Sequence, residues 1–141
     1  MAKSFLRPLC LLGALALTAA CSGTVASVLG DELSRAPDLA ARYGGEEFCG
    51  ILPETDLAGA LAVAERIRGR IASLDIPEPE RGQSHRVSVS VGVVAANCSQ
   101  VDSSTQLLAL ADDCLYRAKR AGRNRVVSCV HGLAAAAGPM Q

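Results

Sequence analysis

The sequence predicts an α/β fold of the α+β sandwich kind, one sheet with helices packed on it. Three observations lead there. Segments with apolar residues at helical spacing alternate with period-two segments, in the order helix, hairpin, helix, strand, helix, strand. A chain of 141 residues has room for one domain with a modest core, not two. Hydrophobic residues make up 50% and charged residues 20%, but aromatics only 3%, so the core must be aliphatic.

The first helix is expected over Val25 to Leu33, with apolar residues at 25, 28, 29 and 33, and it stops before Pro37. A hairpin follows, from about Leu39 to Leu52. At its tip lie Arg42-Tyr43-Gly44-Gly45-Glu46-Glu47-Phe48, two glycines followed by two carboxylates and an aromatic. A Gly-Gly pair lets the backbone turn back through positive φ. Carboxylates at such a turn can converge on a hard cation such as Mg²⁺, although the same pattern also reads as a solvated turn.

Thr55 or Asp56 caps the second helix, with Leu57, Leu61, Ala64, Ile67, Ile71 and Leu74 on its apolar face and Glu65, Arg66, Arg68 and Arg70 on the other. A Pro- and Glu-bearing loop, residues 77–84, leads to the strand Val87 to Val93. There valines alternate with Ser88, Ser90 and Gly92, which suits a strand closely covered by helices. Ser103 or Ser104 opens the third helix, with Leu107, Leu108, Ala111, Cys114, Leu115 and Ala118 as its stripe and Gly122 at the C-cap. A short strand, Arg125 to Val130, closes the fold, and the alanine-rich stretch 132–141 reads as a frayed tail.

Charge and cysteine usage narrow the function. Fourteen cations balance 14 anions, which excludes a general nucleic-acid coat or an anionic-membrane binder, so any phosphate recognition must be local. The six cysteines (10, 21, 49, 98, 114, 129) show no C-x-x-C pairing, and His85 and His131 are isolated, so no structural zinc site is expected. They read as free, small buried hydrophobes in a reducing compartment, with disulfides left open by the even count.

Residues 1–24 carry Lys3 and Arg7, then an apolar run from Leu9 to Ala20 and Cys21-Ser22-Gly23. This reads either as a secretory or lipoprotein signal or as a buried strand or helix; the run is short of the roughly 20 residues a bilayer span takes.

Two more constellations carry chemistry. Arg35-Ala36-Pro37-Asp38 can present a guanidinium fork and a carboxylate together, suited to phosphate and to guanine, or simply paired to each other. Arg117, Lys119, Arg120, Arg123 and Arg125 cluster at the end of the third helix, where they complement the helix dipole or clamp a triphosphate.

Taken in order, the hairpin motif, Ala64-Glu65-Arg66-Ile67-Arg68, Val89-Ser90-Val91-Gly92-Val93 and Leu115-Tyr116-Arg117-Ala118-Lys119-Arg120-Ala121-Gly122-Arg123-Asn124-Arg125-Val126 resemble the GGDEF family of diguanylate cyclases. The resemblance covers about Val25 to Val127, roughly the C-terminal two-thirds of the family's domain. It implies a palm-like nucleotide-cyclase sheet flanked by helices. It also implies condensation of two GTP molecules into cyclic di-GMP between two facing subunits, with Mg²⁺ or Mn²⁺ as the metal.

Under the resemblance Glu46 and Glu47 are the catalytic and metal-holding acids, Gly44 and Gly45 let the backbone approach the nucleotide, and Lys119 and Arg123 grip the triphosphate. Arg35, Asp38 and Arg66 match the inhibitory product site.

The chain departs from the family at its first strand and helix, which are expected to be missing or remodelled. A complete member has an Asp-x-Asp-like segment for metal there, then an Asn and an Asp for guanine. Residues 1–24 contain no acid and no asparagine, and Asp31 lies too late. Impaired turnover is therefore expected. The alternatives are a non-catalytic cyclic di-GMP-binding module acting through R-x-x-D, and a truncated fragment without function. The expected organisation is a signal-like or remodelled segment over 1–24, a partial domain over 25–130 and a tail over 131–141. The expected location is cytoplasmic, or membrane-anchored through residues 1–24.

Overall fold

The computed structural model describes residues 8–16, 22–74, 87–97 and 101–130. Its elements are β1 (Pro8–Ala16), α1 (Ser22–Glu32), β2 (Leu39–Gly44), β3 (Glu47–Pro53), α2 (Leu57–Ser73), β4 (Val89–Asn97), α3 (Ser104–Arg120) and β5 (Val126–Val130). The five strands form one sheet in the order β2-β3-β1-β4-β5. All neighbours are antiparallel except β4 and β5, which run parallel with α3 as the crossover.

Helices cover both faces. Val25, Val28, Leu29 and Leu33 of α1 and Ala60, Ala64, Ile67 and Ile71 of α2 pack on Phe48, Leu52, Val89, Val91 and Val93. Leu107, Ala111 and Cys114 of α3 pack on Val94 and Ala96 from the other side. The alternation read in β4 is thus two-faced burial: its valines at 89, 91 and 93 meet α1 and α2, and Ser90 and Gly92 leave room for α3. Asp56 caps α2 by accepting from the Gly59 amide, and Ser103 caps α3 by accepting from that of Gln106.

β1 forms the centre of the sheet, paired with both β3 and β4. Within the apolar N-terminal run, Pro8–Ala16 is thus a strand. Residues 1–7 and 17–21 lie outside the described residues, as do the loop 77–84, both histidines and the tail. β4 extends to Asn97, four residues past the expected end, because β1 continues to pair with it as far as Pro8.

The cysteine reading needs one correction. Cys114 on α3 and Cys129 on β5 are joined as a disulfide, their Cα atoms 6.1 Å apart. The glycine at 92 lets α3 lie close to the sheet, but the sequence gives no sign that Cys114 and Cys129 meet there. Cys49 is free, and burial pushes its thiol pKa up. Among the described residues no helix is long and apolar enough to cross a membrane.

Candidate functional site

The β2–β3 hairpin turns at Gly45 and Glu46. Gly45 has φ +25°, a value that a Cβ disfavours, and the register shifts between Arg42 and Gly44. Arg42 closes this turn: its Nε and Nη2 donate to the Gly45 carbonyl at 2.9 and 2.5 Å. The sequence motif contains Arg42 but gave it no task. An arginine three residues before a turn glycine is the signal that could have found it.

Glu46 and Glu47 are both half-buried. Glu47 lines a cleft of about 300 Å³ between the hairpin and α3, with Tyr43, Cys49, Leu108, Asp112 and Leu115 among its walls.

Register fixes what shares this end of the sheet. Glu47 lies opposite Leu15 of β1, Leu15 opposite Ser90 of β4, and Val91 beside Val126, the first residue of β5. The hairpin tip, the exit of β1 and the turn after α3 therefore stand at one end. Three strand spacings separate the tip from β5, about 14 Å, and β1 leaves between them.

The turn after α3 is built by a Schellman motif: Gly122 N–H donates to Lys119 O at 3.3 Å and Arg123 N–H to Ala118 O at 3.1 Å, with Gly122 at φ 115°. The basic cluster divides there. Arg117 pairs with Asp113 at 2.8 Å, Arg120 lies over the Tyr116 ring, and Arg125 Nε donates to Arg123 O. Among the described residues the Lys119 and Arg123 side chains have no ion-pair or hydrogen-bond partner. Both cations remain available to an anion.

The residues present do not make the two-metal site that the family resemblance implies. Glu46 and Glu47 supply carboxylates from the hairpin, but β1 carries no acid where it passes beside Glu47. Among the described residues no three His, Cys, Asp or Glu side chains are grouped to hold a metal ion.

The R-x-x-D loop stands at the opposite end of β3, about 20 Å from the hairpin tip by strand rise. Arg35 is tied down on three sides. Its Nη2 and Nε bind the Asp38 carboxylate at 2.6 and 3.0 Å, and Nη2 also donates to Pro53 O at 3.2 Å and Thr55 Oγ1 at 2.5 Å. The Asp38 side chain is 3% exposed, and its hydrogen bond holds the Arg35 pKa above the usual range.

Arg66 binds Glu32 instead, Nε to Oε2 at 2.9 Å, and Arg70 bridges Glu32 and Asp31 at 3.0 and 2.9 Å. Arg66 first, then Arg70, keeps the Glu32 carboxyl below its ordinary 4.5. With the folded pKa depressed, this contribution to stability is present above that value and lost as pH falls through the folded pKa. The structure thus pairs Arg35 with Asp38 and places Arg66 against α1, with no bond between the two groups.

A family model described as diguanylate cyclase, GGDEF domain, matches residues 20–125. The response regulator PleD of Caulobacter vibrioides is 44% identical over 93 residues, 66% of this chain and 20% of PleD. The probable diguanylate cyclase DgcT of Escherichia coli K12 is 39% identical over 104 residues, 74% of this chain and 23% of DgcT. The chain spans between a fifth and a quarter of the length of these curated relatives.

Among solved structures, the GGDEF domain of DgcB from Caulobacter crescentus in complex with c-di-GMP superposes with TM-score 0.70 at 25% identity, covering 86% of this chain and 78% of that one. The active GGEEF domain of a diguanylate cyclase from Vibrio cholerae gives TM-score 0.71 at 25% identity, covering 86% and 82%.

Proposed function

The chain belongs to the diguanylate cyclase GGDEF domain family, and from that premise we propose that it binds GTP at the hairpin end of the sheet but condenses it to cyclic di-GMP far more slowly than a complete member. One observation carries this reading: Lys119 and Arg123, two cations without a partner among the described residues, share an end of the sheet with the acidic hairpin, while the strand between them offers no carboxylate.

In the family's reaction the 3′-hydroxyl of one GTP attacks the α-phosphate of the other and pyrophosphate leaves. Here Lys119 and Arg123 neutralise the triphosphate, and Gly44 and Gly45 let the hairpin backbone lie close to it. Glu46 and Glu47 are the acids for Mg²⁺ or Mn²⁺, but without a carboxylate from β1 they make at most half of a metal pair. Catalysis would need two copies facing each other. Availability of GTP suits a cytoplasmic location better than export or an anchored exterior, and no nucleic-acid polymer is expected as a partner.

Calorimetric titration of GTP tests the binding half. Lys119→Ala and Arg123→Ala should each weaken uptake about tenfold, the ~1.4 kcal/mol of one charge-assisted contact. Unchanged affinity in both variants contradicts the assignment.

A second reading is favoured by the prebuilt R-x-x-D loop, whose guanidinium is already oriented by Asp38 and Thr55. Arg35, Asp38 and Arg66 form a site for cyclic di-GMP remote from the hairpin, usable by a chain that makes none. Arg66 must leave Glu32 or share it to take part. Titration with cyclic di-GMP should give heat at micromolar protein that Arg35→Ala abolishes; no heat, or heat indifferent to that change, ends this reading.

A further inference from the structure

Three consecutive residues after α3 adopt left-handed φ: Gly122 at 115°, Arg123 at 60° and Asn124 at 45°. Glycine does so freely, and the Schellman motif accounts for it. Arg123 has no such licence, since side chains with a Cβ enter this region at a cost of about 1 kcal/mol or more. Such a turn persists only where its surroundings hold it.

Two contacts reach it from elsewhere in the fold: the Val91 amide of β4 donates to the Arg125 carbonyl at the turn's end, at 2.9 Å, and α2 supplies a side-chain bond to Asn124. Arg68 Nη1 donates to Asn124 Oδ1 at 3.0 Å, and Arg68 Nε is itself fixed by Glu65 Oε2 at 2.8 Å. The planar guanidinium can do both at once, which an ammonium cannot do in one fixed geometry. At about 100° per residue, Arg68 points to the flank of α2 opposite Arg66 and Arg70. One flank is tied to α1 through Glu32, and the other to the basic turn through Asn124.

We propose that Arg68 is a positioning residue for phosphate binding: through Asn124 it holds the left-handed turn that presents Arg123 beside Lys119. The proposal rests on the reading of those two cations as the triphosphate grip.

The test uses the full chain, with GTP as the probe, in Arg68→Ala, Asn124→Ala, the double variant and Arg68→Lys. Two quantities are read: GTP affinity by calorimetry, and amide hydrogen exchange at Gly122 and Arg123 by NMR. Each single alanine change should weaken GTP about five- to tenfold, with the double no worse than either alone, because both remove one interaction. Exchange at both amides should quicken in all three alanine variants, and Arg68→Lys should recover only part of either quantity.

Affinity and exchange both unchanged in Arg68→Ala, or losses that add in the double variant, overturn the proposal. If the unsubstituted chain takes up no GTP, the phosphate reading fails by itself. The exchange arm then decides whether Arg68 holds the turn: unaltered exchange refutes it, and faster exchange upholds it.

Discussion

Replacing Gly92 with alanine is expected to cost ~3 kcal/mol or more of folding stability and lower the melting temperature by roughly 10 °C. A Cβ at this position would stand 2.4 Å from the Ala111 carbonyl oxygen, 2.5 Å from the Leu115 amide nitrogen and 3.1 Å from the Cys114 carbonyl carbon. All three are backbone atoms in the middle of α3, so no side-chain rotation relieves the clash.

The helix must lift from β4, opening the packing of Leu107, Ala111 and Cys114 against Val94 and Ala96. Because domains of this size are stable by only about 5–15 kcal/mol, the change removes a large share of the total. Thermal unfolding followed by circular dichroism reads the effect directly. A melting temperature unchanged within 2 °C or so would mean that α3 does not lie as close to the sheet as the structure places it.

Much of this architecture is legible in the residues because its signals are local. Asp56 and Ser103 cap their helices, the Gly-Gly pair marks the hairpin, and Gly122 terminates α3. The small residues at 90 and 92 announce a close neighbour, though not which helix supplies it. β1 was ambiguous because an apolar run of small residues reads the same as a leader, and only pairing with β3 and β4 makes it a strand.

What the sequence could not show was tertiary. Cys114 and Cys129 meet only because α3 crosses back over β5, and Arg68 meets Asn124 across 56 positions of chain. The acids and cations of the candidate site were each identified from motifs. Their common end of the sheet follows from strand order, which no local pattern encodes. The resemblance matches Arg66 to the product site, and the sequence alone does not show that it pairs with Glu32.

The second large expected effect is on turnover. Phosphoryl-type transfer is catalysed chiefly by positioning and by electrostatic stabilisation of charge building on the phosphates. A metal pair supplies much of this by activating the attacking hydroxyl and neutralising the leaving group. In this chain the strand that runs between the hairpin and β4 is Pro-Leu-Cys-Leu-Leu-Gly-Ala-Leu-Ala, without an oxygen-bearing side chain. On the proposed reading, Glu46 and Glu47 supply carboxylates from one hairpin turn only, with none from β1. Losing one carboxylate anchor of such a pair should cost about two to four orders of magnitude in rate, with the triphosphate still held if Lys119 and Arg123 bind it as proposed.

The most direct measurement is the rate at which the purified chain forms cyclic di-GMP from GTP with Mg²⁺, followed by chromatography. GTP uptake with product formation at least about a hundredfold below that of a complete GGDEF domain, assayed in parallel, is the predicted result. Turnover equal to that of the complete domain would contradict it.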